Sequence, residues 1–350
     1  MELAVIDHLQ DMSPGEFNAL DSVAGAAGCF ERLQQREADG RWRVGYVRGT
    51  DDGVLRAAVP FYECRGRTWP DGAYDPSRWE LPDTRRQEYA HGAAVLVGGC
   101  CDRRSGLPID PDYRERRKVR ALLVAVARVA AAHDRALAFP YAFPCARRVL
   151  AQAAKDQIVW ATLGREAQFR DVVARDWEDR QPSRIRYVLR RDRRLMAAEG
   201  VRDEVSAWPE VEDAACELIA AHNLRKGQPD HPEFVRLRHR EWGECQGVEL
   251  TAFTAAADGV RGVLTALVWN SELELYEIGV DGTEGPARLA VYLSLIVHAP
   301  LRFAQARGLR HMRAGLAAET PKASRGAVFS ELYGGVLDAA NTSALAADEL

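Results

Sequence analysis

Thr320-Pro-Lys-Ala-Ser-Arg-Gly326 follows a strand–helix–strand pattern in the last part of the chain. The segment reads as a loop. It sets Lys322 and Arg325 beside Gly326. A lysine and an arginine so placed can clamp an acyl donor or stabilise a developing oxyanion. Upstream, Leu273–Val280 reads as a strand ending at Asp281-Gly282. A long helix is expected from Pro286 to Ala306, stopped by Gly308, and then a strand, Leu309–Ala314.

The same order occurs earlier. Ser13, Pro14 and Glu16 have the spacing of a capping box opening a first helix. A second helix is expected over Phe30–Ala38. Strands Trp42–Arg48 and Val54–Cys64 follow, joined through Asp52-Gly53 as a hairpin. A loop excursion at 65–90, a strand Ala93–Gly98, a helix Tyr113–Ala132 and a strand Ala136–Tyr141 complete the first pattern. In the second, helices Val211–His222 and Pro232–Arg240 precede strands Glu249–Ala255, Arg261–Trp269 and Leu273–Val280. Helices, hairpin, strand, helix, strand thus occur twice, as a repeat of pattern.

Composition narrows the class. The chain has 350 residues, 47% apolar and 28% charged, with net charge -4. That is a globular composition without a global basic field, so any nucleic-acid contact needs a local patch. No uninterrupted run of 18 apolar residues occurs. The N-terminal stretch lacks the basic start and apolar core of a secretory leader. Seven scattered cysteines, including the adjacent Cys100 and Cys101, form no C-x-x-C pair and read as reduced thiols of a cytoplasmic protein. His222, His231 and His239 do not have the spacing of a metal pair, so no metal is expected. His91 and His298 read as structural.

Between the halves lies Arg184-Ile-Arg-Tyr-Val-Leu-Arg-Arg-Asp-Arg-Arg194. Ile185, Val188, Leu189 and Met196 form a helical apolar stripe, and only Asp192 offsets six arginines. This is either a solvated linking helix or a phosphate-binding one, with Arg184, Arg190, Arg191 and Arg194 as contacts.

Three features together resemble the double-GNAT acyltransferases, among them the Fem-type aminoacyl transferases of peptidoglycan bridge formation. They are the arginine-rich central helix, the run from Leu273 to Gly282 leading into Pro286, and Gly315…Glu319-Thr-Pro-Lys322…Arg325-Gly326. The resemblance spans nearly the whole chain. It implies an α/β fold with mixed sheets: a GNAT-like domain at 1–175, a basic linking helix at 176–205, and a second GNAT-like domain at 206–350. Gly282-Thr-Glu-Gly285 departs from the family's donor loop, and no helical-hairpin insertion is present.

The resemblance also implies a mechanism. In GNAT folds two strands splay, a donor carbonyl enters the wedge, and an amine attacks it directly. Glu277 and Glu319 are then candidate bases, Lys322 the oxyanion or donor contact, and Tyr333 the group orienting the leaving atom. Arg325, Gly326, Gly282, Gly285 and Arg288 would hold the donor. Arg225 and Lys226 would face an acidic ligand, and Trp69, Tyr74 and Trp79 would wall a substrate cleft or pin their loop to the body.

Three readings of the function are open. The preferred one is amide formation from aminoacyl-tRNA onto a small amine or peptide, with no permanently bound cofactor. The second uses acyl-CoA. The third is a binding protein with a degenerate donor site.

Overall fold

A computed structural model describes residues 1–20, 23–82, 89–90, 92–100 and 102–349. His91, Cys101 and residues 83–88 of the expected excursion lie outside the described residues.

The strands are β1 (Glu2–Ile6), β2 (Trp42–Asp51), β3 (Val54–Cys64), β4 (Ala94–Val97), β5 (Ala136–Ala142), β6 (Val159–Phe169), β7 (Arg202–Ala207), β8 (Glu249–Ala257), β9 (Val260–Trp269), β10 (Glu272–Val280), β11 (His311–Arg313) and β12 (Val328–Leu337). The helices are α1 (Pro14–Ala19), α2 (Phe30–Ala38), α3 (Arg116–Ala131), α4 (Pro144–Ala153), α5 (Ser183–Ala198), α6 (Trp208–Arg225), α7 (Pro232–Gly243), α8 (Pro286–Leu293), α9 (Ala299–Ala306), α10 (Glu319–Ala323) and α11 (Ala339–Ala346).

The chain forms two compact units. One comprises Met1–Arg165 with Glu331–Leu350, the other Glu166–Ser330. In the first, strands lie in the order β1-β2-β3-β4-β5-β12. In the second the order is β6-β11-β10-β9-β8-β7. β4 and β5 pair in parallel, as do β10 and β11, and in each case a helix crosses between the two neighbouring strands. The expected repeat is therefore present. Each copy runs edge strand, two helices, three antiparallel strands, crossing helix, parallel strand.

The boundaries differ from those expected. The last strand of each copy pairs in the other unit: β12 against β5, and the end of β6 against β11. Local pattern does not report such distant partners. The basic helix α5 lies inside the second unit rather than linking two domains. Leu189, Asp192 and Met196 are its buried face.

Local details follow from residue chemistry. α1 is only six residues long, and Ser13 makes no side-chain cap bond, so the expected capping box is not formed. The Pro286–Ala306 helix is interrupted by a π-helical turn at Ser294–His298. Pro300 lacks an N–H, so the Ile296 carbonyl has no i+4 donor, which accounts for a wide turn just before it. This run is long and apolar enough to cross a membrane, but 67% of its most apolar 18-residue stretch is buried inside the protein.

In the second unit α6 crosses β10 in backbone contact. A Cβ at Gly279 would sit 2.5 Å from the Leu218 carbonyl carbon and 2.6 Å from the Ile219 nitrogen. Neither atom is the end of a flexible side chain. Gly279→Ala is therefore expected to cost about 1–3 kcal/mol by overpacking, read as a lower urea midpoint. An unchanged midpoint would mean that α6 does not approach β10 this closely in solution.

Candidate active site in the second unit

β10 and β11 pair only from Glu272–Glu274 to His311–Arg313. β11 then ends, while β10 continues through a register shift between Leu275 and Ile278 to Val280. The Asp281 N–H donates to the Arg261 carbonyl at 2.9 Å, so Asp281 and Gly279 bond towards β9. In antiparallel alternation Val280 must then turn its amide and carbonyl away from β9, into the gap beyond the end of β11. This gap is the wedge expected from the sequence.

Cations surround it. Arg225, the last residue of α6, donates to the Val280 carbonyl. Lys226 follows it. Its pKa is lowered by burial and then by the Arg288 charge, which places Arg288, in the first turn of α8, nearby. Lys322 on α10 is buried and donates to the Ala314 and Ala317 carbonyls just past β11. Burial, then the Lys226 charge, pushes its pKa down to about 8, while Glu166 and Glu319 oppose the shift. Lys322, Lys226, Arg225 and Arg288 thus gather with Glu319 at one place. Gly282 and Gly285 lie in the loop that leads from β10 into α8.

His222 belongs to this group and was missed as a site residue. Burial, then Lys226, Arg225 and Arg288, hold its pKa down at about 4, so the ring is neutral at pH 7. Its signal was in the sequence, because residues three and four apart share a helix face, and Arg225 and Lys226 stand there.

Several predicted residues are engaged elsewhere. Lys322 and Arg325 do not sit in an open loop: Glu319–Ala323 is a helix, with Pro321 tolerated in its first turn. The Arg325 Nε and an Nη donate to Asp192 at 2.5 and 3.0 Å, and the other Nη donates to the Pro321 carbonyl at 2.8 Å. Arg325 therefore ties α10 to α5 rather than reaching a donor. Burial alone would raise the Asp192 pKa, but His298, 3.6 Å away, and the hydrogen bonds from Arg325 hold it below the usual carboxylate value. Gly326 packs on Trp177 and Gln181. Glu277 accepts from Arg238 at 2.9 and 3.2 Å, and Arg238 also grips Asp230. Glu277 is thus held in an ion pair on the face of α7.

Trp69, Tyr74 and Trp79 are buried in the first unit. Tyr74 stacks edge-on against Tyr141 with centroids 5.4 Å apart, and the Trp79 indole donates to the Ala73 carbonyl at 3.3 Å. They pin their loop to the core. Tyr333 also belongs to the first unit. Its hydroxyl donates to Glu331, and the Arg147 guanidinium lies 4.1 Å from its ring centroid.

On α5, Arg193 makes a bidentate pair with Glu178, both bonds 2.7 Å. Arg186 donates to the Asp179 and Gln181 carbonyls, and Arg191 lies 3.6 Å from Asp192. Arg184, Arg190 and Arg194 are exposed and form no hydrogen bond or ion pair with the described residues. Tyr187 is 56% exposed on the face shared by Arg184, Arg191 and Arg194. Among the described residues no three His, Cys, Asp or Glu side chains are grouped to hold a metal.

No protein-family model matches the chain, and no curated sequence matches it. Solved structures do. FemX is similar with a TM-score of 0.64 at 12% identity, over 97% of each chain. A conserved protein of unknown function from Bacteroides thetaiotaomicron is similar with a TM-score of 0.56 at 11% identity, over 96% of this chain and 100% of that one. A tandem GNAT protein from the clavulanic acid biosynthesis pathway is similar with a TM-score of 0.52 at 17% identity, over 95% and 98%. At these identities the likeness is one of fold. The chain has the tandem-GNAT fold shared with FemX.

Proposed function

We propose that this protein is an amide-forming N-acyltransferase whose donor is an aminoacyl-tRNA and whose acceptor is the amine of a small molecule or peptide. The observation that carries the reading is the cluster Arg225, Lys226, Arg288 and Lys322 around the wedge edge of β10. An acyl donor ending in a nucleotide brings both phosphate charge and an activated carbonyl to such a place. The unpaired arginines of α5, with Tyr187 among them, supply a second basic surface in the same unit, suited to an RNA backbone.

In this reading the acceptor's neutral amine attacks the ester carbonyl carbon. The C–N bond forms, and the C–O bond to the terminal ribose breaks. Lys322 releases one backbone carbonyl to donate to the oxyanion. The proton lost by the amine passes through Glu319 to the departing ribose oxygen. No covalent enzyme intermediate is needed.

A second reading, acyl-CoA as donor, is favoured by one observation: Arg288 sits in the first turn of α8, where a pyrophosphate would meet a helix N-terminus. Against it, Glu284 already pairs with Arg288 at 2.5 Å, and Pro286 removes one amide.

A donor screen separates the two. With a mixed amine pool, product should form from charged tRNA and vanish on RNase treatment. Turnover from acyl-CoA without RNA would replace the first reading by the second. Arg190→Glu with Arg194→Glu should weaken tRNA binding at least tenfold near 0.1 M salt. It should also flatten the log K against log salt slope by roughly two phosphate contacts, at an unchanged melting temperature. Binding that persists would make the stripe a solvated face.

A further inference from the structure

We infer that the chain has one acyl-donor wedge, not two, because the first unit's counterpart is filled by its own backbone, residues Gly98–Cys100 and Asp102–Asp110. The inference rests on the reading of the second unit's wedge as a donor site.

The two copies begin alike. β4 and β5 pair in parallel from Ala94–Leu96 to Ala136–Ala138, and β4 ends at Val97, just as β10 and β11 pair briefly and part. The connections leaving β4 and β10 are unlike. In the second unit residues 281–285 lead directly into α8. In the first, residues 98–115 separate β4 from α3, and this longer segment turns back.

Its path is fixed by backbone bonds on both sides of the gap. The Gly98 N–H donates to the Pro60 carbonyl at 2.8 Å. Ser105 forms a parallel bridge with Ala142 at the far end of β5, and Ile109 an antiparallel bridge with Ala57 of β3. The Ala58 N–H donates to the Pro108 carbonyl at 2.9 Å, and the Asp110 N–H to the Arg56 carbonyl at 2.8 Å. Arg56 and Asp110 also pair through their side chains at 2.8 Å. The strand edges that a donor would line are therefore already bonded.

Packing holds the segment close against β4. A Cβ at Gly98 would lie 2.5 Å from the Ser105 hydroxyl and 3.1 Å from the Gly106 carbonyl, and one at Gly99 3.0 Å from the Arg104 carbonyl. Ser105 is 5% exposed, and Ile109, 2% exposed, joins the core around Val97, Val119 and Phe139. The Arg103 N–H donates to the Tyr74 hydroxyl at 2.6 Å, fixing the loop from a third direction. Drawing these residues out would expose core side chains and break ladder bonds together, so the segment is a fixed part of the sheet rather than a gate.

Two measurements test this, and the first needs no donor. Amide exchange of the 105–110 region should be as slow as that of β3. Complete exchange within minutes while β3 stays protected would overturn the inference whatever the donor screen finds. In the second, Ser105→Cys with Ala142→Cys links paired positions, whose spacing in a ladder suits a disulfide; mass mapping confirms the bond. With whichever donor the screen identifies, turnover of the oxidised protein should stay within about twofold of the same protein reduced. A tenfold loss on oxidation, restored by reduction, would show that the first wedge opens during turnover and would overturn the inference. If no donor is turned over, the proposed function fails, and exchange alone decides whether the first wedge is filled.

Discussion

Asp192→Ala is expected to destabilise the second unit by about 3–5 kcal/mol, the cost of leaving a buried charge without its partner. Asp192 is 1% exposed and Arg325 5%. The bidentate pair between them joins α5 to the segment after α10, and His298 Nε2 lies 3.6 Å from the same carboxylate. Removing the acid strands the guanidinium and leaves His298 beside an uncompensated cation. Asp192→Ala combined with Arg325→Met should recover much of the loss, because the orphaned charge goes too. Thermal melting of the two variants reads this directly. Equal melting temperatures for wild type and Asp192→Ala would show that Arg325 is free to serve a ligand, as its place in the sequence first implied.

Lys322→Met should lower turnover on the order of a hundredfold, the effect of one lost oxyanion donor. An unchanged rate would remove Lys322 from the mechanism. Its depressed pKa supplies a second readout. The charged form is the donor, so wild-type turnover should fall as pH rises through about 8, where Lys322 loses its proton. Stability should move the other way. The folded group titrates near 8 and the unfolded one near the ordinary 10.5. Between those values the unfolded chain holds the extra proton, so the folded state gains stability as pH rises. Below about 8 both states are charged, and the burial penalty is at its largest. Lys322→Met abolishes this slope, so the wild type should gain stability relative to the variant from pH 8 to 10. A purely structural lysine would show the stability slope with no matching fall in rate.

Much of the fold was legible because the repeat is written in local pattern. The Asp52-Gly53 hairpin, the apolar face of α3 and the strand from Leu273 to Val280 all stand where their residues put them. Missed were elements whose partners are distant: β12 completes a sheet whose other strands lie far earlier in the chain, and nothing in Val328–Leu337 names β5. The candidate site was half legible. Arg225, Lys226, Arg288 and Lys322 meet around the wedge, but Arg325 and Glu277 were read without their counterions. Asp192 lies 133 residues from Arg325, and Arg238 lies 39 from Glu277. The lone acid among six arginines looked like a shortfall of counter-charge, yet it is the partner of a seventh. Trp69, Tyr74 and Trp79 were read as walling a cleft or as anchors, and all three are buried.

The exchange of final strands sets an order on biosynthesis. Every residue of the second unit lies within 166–330, so that unit is whole as soon as residue 330 has left the ribosome. The first unit is begun earlier and finished later, since β5 has no partner on one edge until residues 331–337 arrive. At about 5–20 residues per second the nascent β5 edge waits roughly 10–40 s. An open edge held that long is a template for pairing with another nascent chain, so the risk of wrong pairing is greatest during translation.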